Sequence, residues 1–326
     1  MPSSRTVVVC AYTLERLALT ERCLAATLAQ DPPPEQVVAV IDHNPELLDR
    51  LAASFPTVEV IPNAGPRGLS GARNTGIDRA TGDLVAFVDD DAVPSDGWLA
   101  GLSAAFIDPA VIVAGGRAIP SWEGDRPGWF PEEFLWTVGC SYLGQPASGD
   151  VRNPLGCNMA FRRTVFEAAG SFDPAVGRLG TLPIGAEETE LCIRARRAIP
   201  GGRIVLVDGA EVHHTVPRSR ARLGYVIRRC FYEGVSKAVV RRLSKNDALG
   251  TERSYVARTV TGGILRHLGR AVRLQSPIDA IGSAVVLGVG VVVAAGGYAY
   301  GSVRARASRP EAAGVAVPGS THSETT

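Results

Sequence analysis

The sequence has no C-x-x-C pair. Its six cysteines (Cys10, Cys23, Cys140, Cys157, Cys192 and Cys230) are scattered, so neither a zinc cluster nor a redox dithiol is spelled out, and buried thiols of a reducing compartment are expected. An excess of charge is also missing. Lys and Arg total 34 against 33 Asp and Glu, a formal net charge of +1, so no basic field draws the chain to nucleic acid, which is not expected as a partner. No G-x-G-x-x-G follows the first apolar run, where Val8-Val9-Cys10-Ala11-Tyr12-Thr13 stands instead, which counts against a dinucleotide-dependent oxidoreductase while leaving that class as an alternative. That run, Val7 to Ala11, is too short for the core of a signal peptide, so the bulk of the chain is expected in the cytoplasm. No internal repeat is evident. What the 326 residues do have is 45% hydrophobic content, enough for one large domain with appendages.

Along the first 215 residues short β-branched runs alternate with helical patterns: Thr6–Ala11, Leu14–Leu28, Gln36–Ile41, Pro45–Ser54, Val58–Pro62 and Ser70–Ala80. Strands separated by helices imply a Rossmann-like, mostly parallel α/β sheet with crossover helices. Leu84-Val-Ala-Phe-Val88 is a continuous apolar strand of the kind buried on both faces, and Asp89, Asp90 and Asp91 follow it directly. Ligands bind outside the carboxyl ends of strands in open α/β sheets. A helix cap would account for one aspartate there; three adjacent carboxylates repel unless a cation or a wet cleft offsets them. A second acidic cluster, Gly185-Ala-Glu187-Glu188-Thr-Glu190, lies a hundred residues on, where a plain helix start would also favour acidic residues.

These landmarks, in this order, resemble the inverting nucleotide-sugar glycosyltransferases of family two. The resemblance covers roughly Thr6 to Ala238 and rests on VVVCAYTLERL, a second strand ending at Asp42, GLSGARNTGIDRATGD, the DDD, GCNMAFRR and GAEETEL. It implies the single-domain GT-A fold. It also implies a D-x-D motif in which Asp89 faces the nucleotide ribose and Asp91 holds Mg²⁺ or Mn²⁺, with Asp89 and Asp90 as further contributors; such a cation offsets charge on the departing diphosphate, and oxygen-rich ligands suit these hard ions. Glu188 takes the position of the general base that removes the acceptor hydroxyl proton, with Glu187 as second choice. The donor's base is expected at Ala11, Tyr12, Thr13 and Glu15, with Tyr12 alternatively a core aromatic, and at Asp42, alternatively a helix cap. His43 and Asn44 depart from the family's pattern in that loop and leave the identity of the base open. Ser70 is a natural N-cap for a helix that Gly82 ends, and the resemblance turns Gly71, Arg73 and Asn74 toward the donor. Asn158 is expected to line the sugar pocket, beside Gly156. In Glu211-Val-His213-His214-Thr-Val-Pro217 the spacing points to His214, before His213, as completing the metal site.

Residues 1–240 are therefore read as the catalytic domain. The aromatic stretch Trp122–Leu143 is either a mobile acceptor-side loop or packs under the C-terminal helix, and Leu179–Ile184 forms an open loop. Residues 241–276 read as a basic amphipathic membrane-surface segment, with Arg266, Arg270 and Arg273 among Ile264, Leu265, Leu268 and Val272. From Ala280 to Tyr300 no residue is charged, and as a helix this stretch would span roughly 31 Å, so residues 277–303 are a transmembrane or membrane-embedded candidate. Arginines on both sides leave it unoriented, and residues 304–326 read as a disordered tail. The expectation is a metal-dependent inverting transferase at the cytoplasmic side of the cell membrane. It would move a sugar from a nucleotide-diphosphate donor, UDP-sugar favoured, to a hydroxyl of a lipid-linked or glycolipid acceptor. A polyprenyl-phosphate acceptor and a non-catalytic sugar-nucleotide binder are the alternatives.

Overall fold

The computed structural model describes residues 4–174, 185–243 and 254–307; the loop expected at 179–184 and most of the expected tail lie outside the described residues. The first strands and helices follow the alternation in the sequence: β1 (Arg5–Ala11), α1 (Leu17–Leu28), β2 (Gln36–Ile41), α2 (Pro45–Ser54), β3 (Glu59–Pro62), α3 (Leu69–Arg79) and β4 (Leu84–Asp89). Helix α2 starts where its cap is written: Asn44 Oδ1 accepts from the Leu47 N–H at 3.1 Å, and Pro45 opens the first turn. Helix α3 begins two residues earlier than the Ser70 cap expectation. Gly68 precedes the helix, Ser70 is buried inside its first turn, and the helix stops at Arg79, so Gly82 lies in the turn to β4, where its N–H donates to Thr6 Oγ1.

The remaining elements are β5 (Ala92–Pro94), α4 (Trp98–Ala105), β6 (Val111–Trp122), β7 (Gly149–Asp150), β8 (Asn158–Arg162), α5 (Arg163–Ala169), α6 (Glu187–Ala198), β9 (Arg203–Val216), α7 (Leu223–Leu243), α8 (Thr261–Val272) and α9 (Pro277–Ala307). One sheet runs β3-β2-β1-β4-β8-β6-β9-β5, with β7 beside β9. Strands β3, β2, β1 and β4 are parallel; β8 is antiparallel to both of its neighbours, β4 and β6, and β9 runs parallel to β6. Each face carries its own core: Leu24, Leu47 and Trp98 on one side, and Phe87, Phe161 and Leu191 on the other. Burial on both faces is why β4 reads as an unbroken apolar run.

A third apolar cluster joins Phe130, Phe134, Cys230 and Leu287, all buried. It decides the fate of the aromatic stretch. Residues Glu132–Val138 form a short 3₁₀ segment under α9, where Ser283 Oγ donates to the Trp129 carbonyl at 3.0 Å and Gly290 lies against the Phe134 ring. Glu133, buried in that segment, pairs with Arg266 of α8 at 2.5 Å. The stretch is thus the floor of the C-terminal helices.

Candidate active site

The two short strands after β4 and at the end of the chain's long strand create the site. β5 pairs antiparallel with β9, Ala92 opposite His214, and the Thr215 N–H donates to the Asp91 carbonyl at 2.8 Å. This pairing delivers a histidine more than a hundred residues away to the aspartates. Ligand atoms of Asp89, Asp91 and His214 all lie within 4.8 Å of one another. Two carboxylate oxygens and an imidazole nitrogen suit Mn²⁺ or Mg²⁺ chemistry, so the residues present fit a divalent cation. Strand alternation separates the two histidines: His214 is buried in the cleft, whereas His213 points outward and is exposed.

His214 Nε2 stands 3.3 Å from Asp91 Oδ1, and its Nδ1 faces the Cys140 thiol at 3.8 Å. Burial disfavours the charged ring, but the Asp91 carboxylate outweighs it and lifts His214 to about 10. Burial likewise opposes the charge on Asp91, yet His214 and then Arg16 hold that carboxyl well below its ordinary range. Arg16 bridges the cluster, 3.0 Å from Asp90 Oδ1 and 3.1 Å from Asp91 Oδ2, and Arg220 reaches Asp91 at 3.9 Å. Asp90 turns away from the histidine into the protein, where burial and the neighbouring Asp91 push it up to about 7. It anchors Arg16 and has no open face toward a donor.

Arg73 links the two acidic clusters. Fully buried on α3, it donates to Asp89 at 3.2 Å, to Glu187 at 3.2 Å and to the Gly156 carbonyl at 2.9 Å, with its guanidinium over the Phe172 ring. The Glu187 carboxylate is spent on Arg73 and on the Ala186 N–H. Glu188, half-buried at the start of α6, makes no ion pair with the described residues. Burial, then the charge of Glu187, pushes Glu188 up to about 7, the range a general base needs near neutral pH.

Several donor-facing expectations give way to internal roles. Arg73 has no free face. Asn74 closes a reciprocal pair with the Phe172 backbone, donating at 2.8 Å and accepting at 2.9 Å. Asn158 is wholly buried: its Oδ1 accepts from Trp98 Nε1, and its Nδ2 donates to the Arg117 and Ala210 carbonyls. Gly71 is buried where a Cβ would lie 1.9 Å from the Pro66 carbonyl oxygen, so it permits the 65–68 loop to fold back on α3. Asp42 Oδ1 accepts from Asn63 at 2.7 Å and its Oδ2 from the Gly68 N–H at 2.9 Å, which shapes the same loop. The capping alternative for Asp42 fails, because Asn44 caps α2. At the β1 corner Ala11 is buried, Thr13 accepts from the Glu15 N–H, and Glu15 and Tyr12 are exposed, Tyr12 by 54% with Arg16 over its ring. A core role for Tyr12 is thereby removed. Sequence reasoning did not single out Cys140 or Trp98. Neither carries a motif, and only the fold brings them to His214 and Asn158.

Beyond His214 along β9, an open groove is lined by Trp122, Val216, Arg218 and Ala221. The comparisons with known proteins agree with this architecture. A glucosyl-dolichyl phosphate glucuronosyltransferase of Haloferax volcanii is 35% identical over 240 residues, covering 72% of this chain and 76% of that protein. The succinoglycan biosynthesis protein ExoM of Rhizobium meliloti is 30% identical over 242 residues, covering 69% and 71%. A mannosyltransferase of Pyrobaculum calidifontis, solved with GDP-Man and Mn²⁺, shares the fold at TM-score 0.58 and 20% identity, covering 92% of this chain and 88% of that one. Residues 6–170 match glycosyl transferase family 2, and the chain belongs to that family: it is a glycosyltransferase of GT-A fold.

Proposed function

We propose that this enzyme transfers a sugar, with inversion, from a nucleotide-diphosphate donor to a hydroxyl group of a lipid-linked saccharide at the cytoplasmic face of a membrane. The observation that carries the reading is the pairing of a divalent-cation site with a separate, elevated carboxylate: Asp89, Asp91 and His214 on one side, Glu188 on the other, joined by Arg73. A bound Mn²⁺ or Mg²⁺ would offset the negative charge that grows on the leaving diphosphate. The Asp89 and Asp91 carboxylates and the His214 imidazole would hold it. Glu188 accepts the proton of the acceptor hydroxyl as that oxygen bonds to the anomeric carbon and the bond to the diphosphate breaks. Arg73 keeps both acidic clusters in register. Arg16 and Arg220 supply cationic cover beside the diphosphate position. The exposed Tyr12 ring, with Asp42 behind it, forms the seat for the base, for which a UDP-sugar is favoured.

The groove's Trp122 and Val216 belong to the apolar cluster that holds the C-terminal helices, and Val216 follows His214 by two residues on β9, which suits an acceptor whose sugar is held near a membrane. A relative named for glucosyl-dolichyl phosphate supports a hydroxyl rather than a bare lipid phosphate as nucleophile. The test is nucleotide release by detergent-solubilised protein across UDP-, dTDP- and GDP-sugars, with Mn²⁺, Mg²⁺ or EDTA and with membrane lipid extract as acceptor source. Turnover of one donor, abolished by EDTA and by Asp91→Ala, is expected. Tight nucleotide binding without turnover would instead favour a non-catalytic binder. Retained transfer by Glu188→Gln would point to a phosphate nucleophile, which needs no general base.

A further inference from the structure

Helix α9 has the length and apolarity of a membrane span, yet it is not a free-standing helix. Along one side, from Gly282 to Gly301, it is fastened to the catalytic domain. Gly282 lies against Trp129, Gly290 against Phe134 and Cys230, and Gly301 against Ala238 and Val235. At its middle the two backbones touch: a Cβ on Gly297 would lie 2.0 Å from the Phe231 carbonyl oxygen, and one on Gly234 would lie 2.0 Å from that of Ala294. The 20 residues from Gly282 to Gly301 correspond to about 28 Å of helix, nearly the whole thickness of a hydrocarbon core.

From Gly290 to Gly301 the partner is α7, which carries Arg228, Arg229, Glu233, Lys237 and Arg241. If α9 crossed a bilayer, α7 and these charges would enter the hydrocarbon with it, and ionised side chains there are costly. The opposite side of α9 tells the complementary story. Ile278, Ile281, Val285, Val289 and Val292 recur every three or four residues and are all exposed, Ile278 by 86% and Val292 by 70%, and Val303 is exposed eleven residues further on. Helix α8 is joined to α9 by a tight turn in which Leu274 and Ser276 adopt left-handed backbone conformations; it exposes Leu265, Leu268 and Val272 beside Arg270 and Arg273. An exposed apolar stripe flanked by arginines has the chemistry of an anionic lipid surface.

We propose that the α8–α9 hairpin lies in the plane of one leaflet, apolar stripe inward and arginines at the headgroups, so that the enzyme is monotopic rather than membrane-spanning. This rests on the membrane part of the function proposed above and adds its geometry. The catalytic domain and the C-terminus then stand on the same side of the membrane, and α9 lies flat beside the groove at Trp122.

The experiment uses the full chain with an epitope tag at each terminus, in sealed inverted membrane vesicles. Both tags are expected to be removed by added protease without detergent. Protection of the C-terminal tag until detergent is added would overturn the proposal in favour of a span. In a second measurement, spin labels at Val285→Cys and Val303→Cys are placed on vesicles of phosphatidylcholine with phosphatidylglycerol, with background from the native protein subtracted. In-plane seating gives both labels equal, shallow lipid contact. One deep label and one in water, or both in water, would each overturn it. Val285→Glu combined with Val292→Glu is expected to lower vesicle binding by about tenfold or more while nucleotide release in detergent persists. Unchanged binding would count against the stripe as the contact. Loss of nucleotide release in the unsubstituted protein would sink the transferase reading alone, because the tag and depth measurements do not depend on it.

Discussion

Among single side chains, Glu188 and Arg73 divide the labour of the second acidic cluster. Glu187 is paired with Arg73, so under the proposed function Glu188 is the carboxylate that takes the acceptor proton. Glu188→Gln is expected to lower the transfer rate by on the order of 10²–10⁴ with donor affinity kept, read by nucleotide release and by nucleotide titration. The sign of the pH dependence follows from the raised value: a base must be unprotonated, so the rate is expected to rise about tenfold per pH step below about 7 and to level off above it, and a pH-independent rate would argue against Glu188. Arg73→Met would strand Glu187 as a buried carboxylate without its cation and leave the partly exposed Asp89 unpaired. A loss of about 3–5 kcal/mol, measured from denaturant midpoints, is expected, with a Mn²⁺ requirement shifted to higher concentration. The acidic residues were legible because their types announce their chemistry. The partners that occupy them were not, because Arg73 lies 114 positions from Glu187 and nothing in its immediate neighbours says which carboxylate it meets.

Secondary elements show where local signals suffice. Helix α2 and strand β2 begin and end where the sequence alone puts them, since an asparagine cap, a proline in the first turn and a β-branched run act through nearest neighbours. Helix α3 starts two residues early because the buried setting of Ser70 overrides its capping preference. Strand β9 runs from Arg203 through to Val216, and its second half carries His214 to the aspartates; pairing with β6 and β5 decides it, not composition. At the start of β8, in the middle of the sheet, Asn158 ties α4 to β6 and β9 through Trp98, Arg117 and Ala210. Asn158→Leu leaves those groups without partners in the core. A destabilisation of about 1–3 kcal/mol is expected, visible as a lower Tm, and an unchanged Tm would mean that the bridge contributes nothing.

For the molecule as a whole, the third core makes the C-terminal hairpin part of the enzyme. Phe134, Cys230 and Leu287 are buried only because the 3₁₀ segment, α7 and α9 meet. Deleting residues 277–326 would uncover that cluster on the catalytic domain. The truncated chain is expected to aggregate without detergent and to melt at lower temperature than the full chain, by light scattering and calorimetry; a soluble, equally stable fragment would show that the hairpin is an independent anchor.

The sequence by itself determined the alternation of strands and helices, the two acidic clusters at the carboxyl edge of the sheet and the apolar C-terminal helix, because each is written in residue type and short-range period. Only the tertiary structure decided that His214 rather than His213 faces Asp91, and that Arg73, Asn74 and Asn158 serve the scaffold. It also decided that α9 is fastened sideways to α7. These outcomes depend on which distant strands and helices become neighbours, and that is set by burying the faces of all the elements together rather than by any one segment.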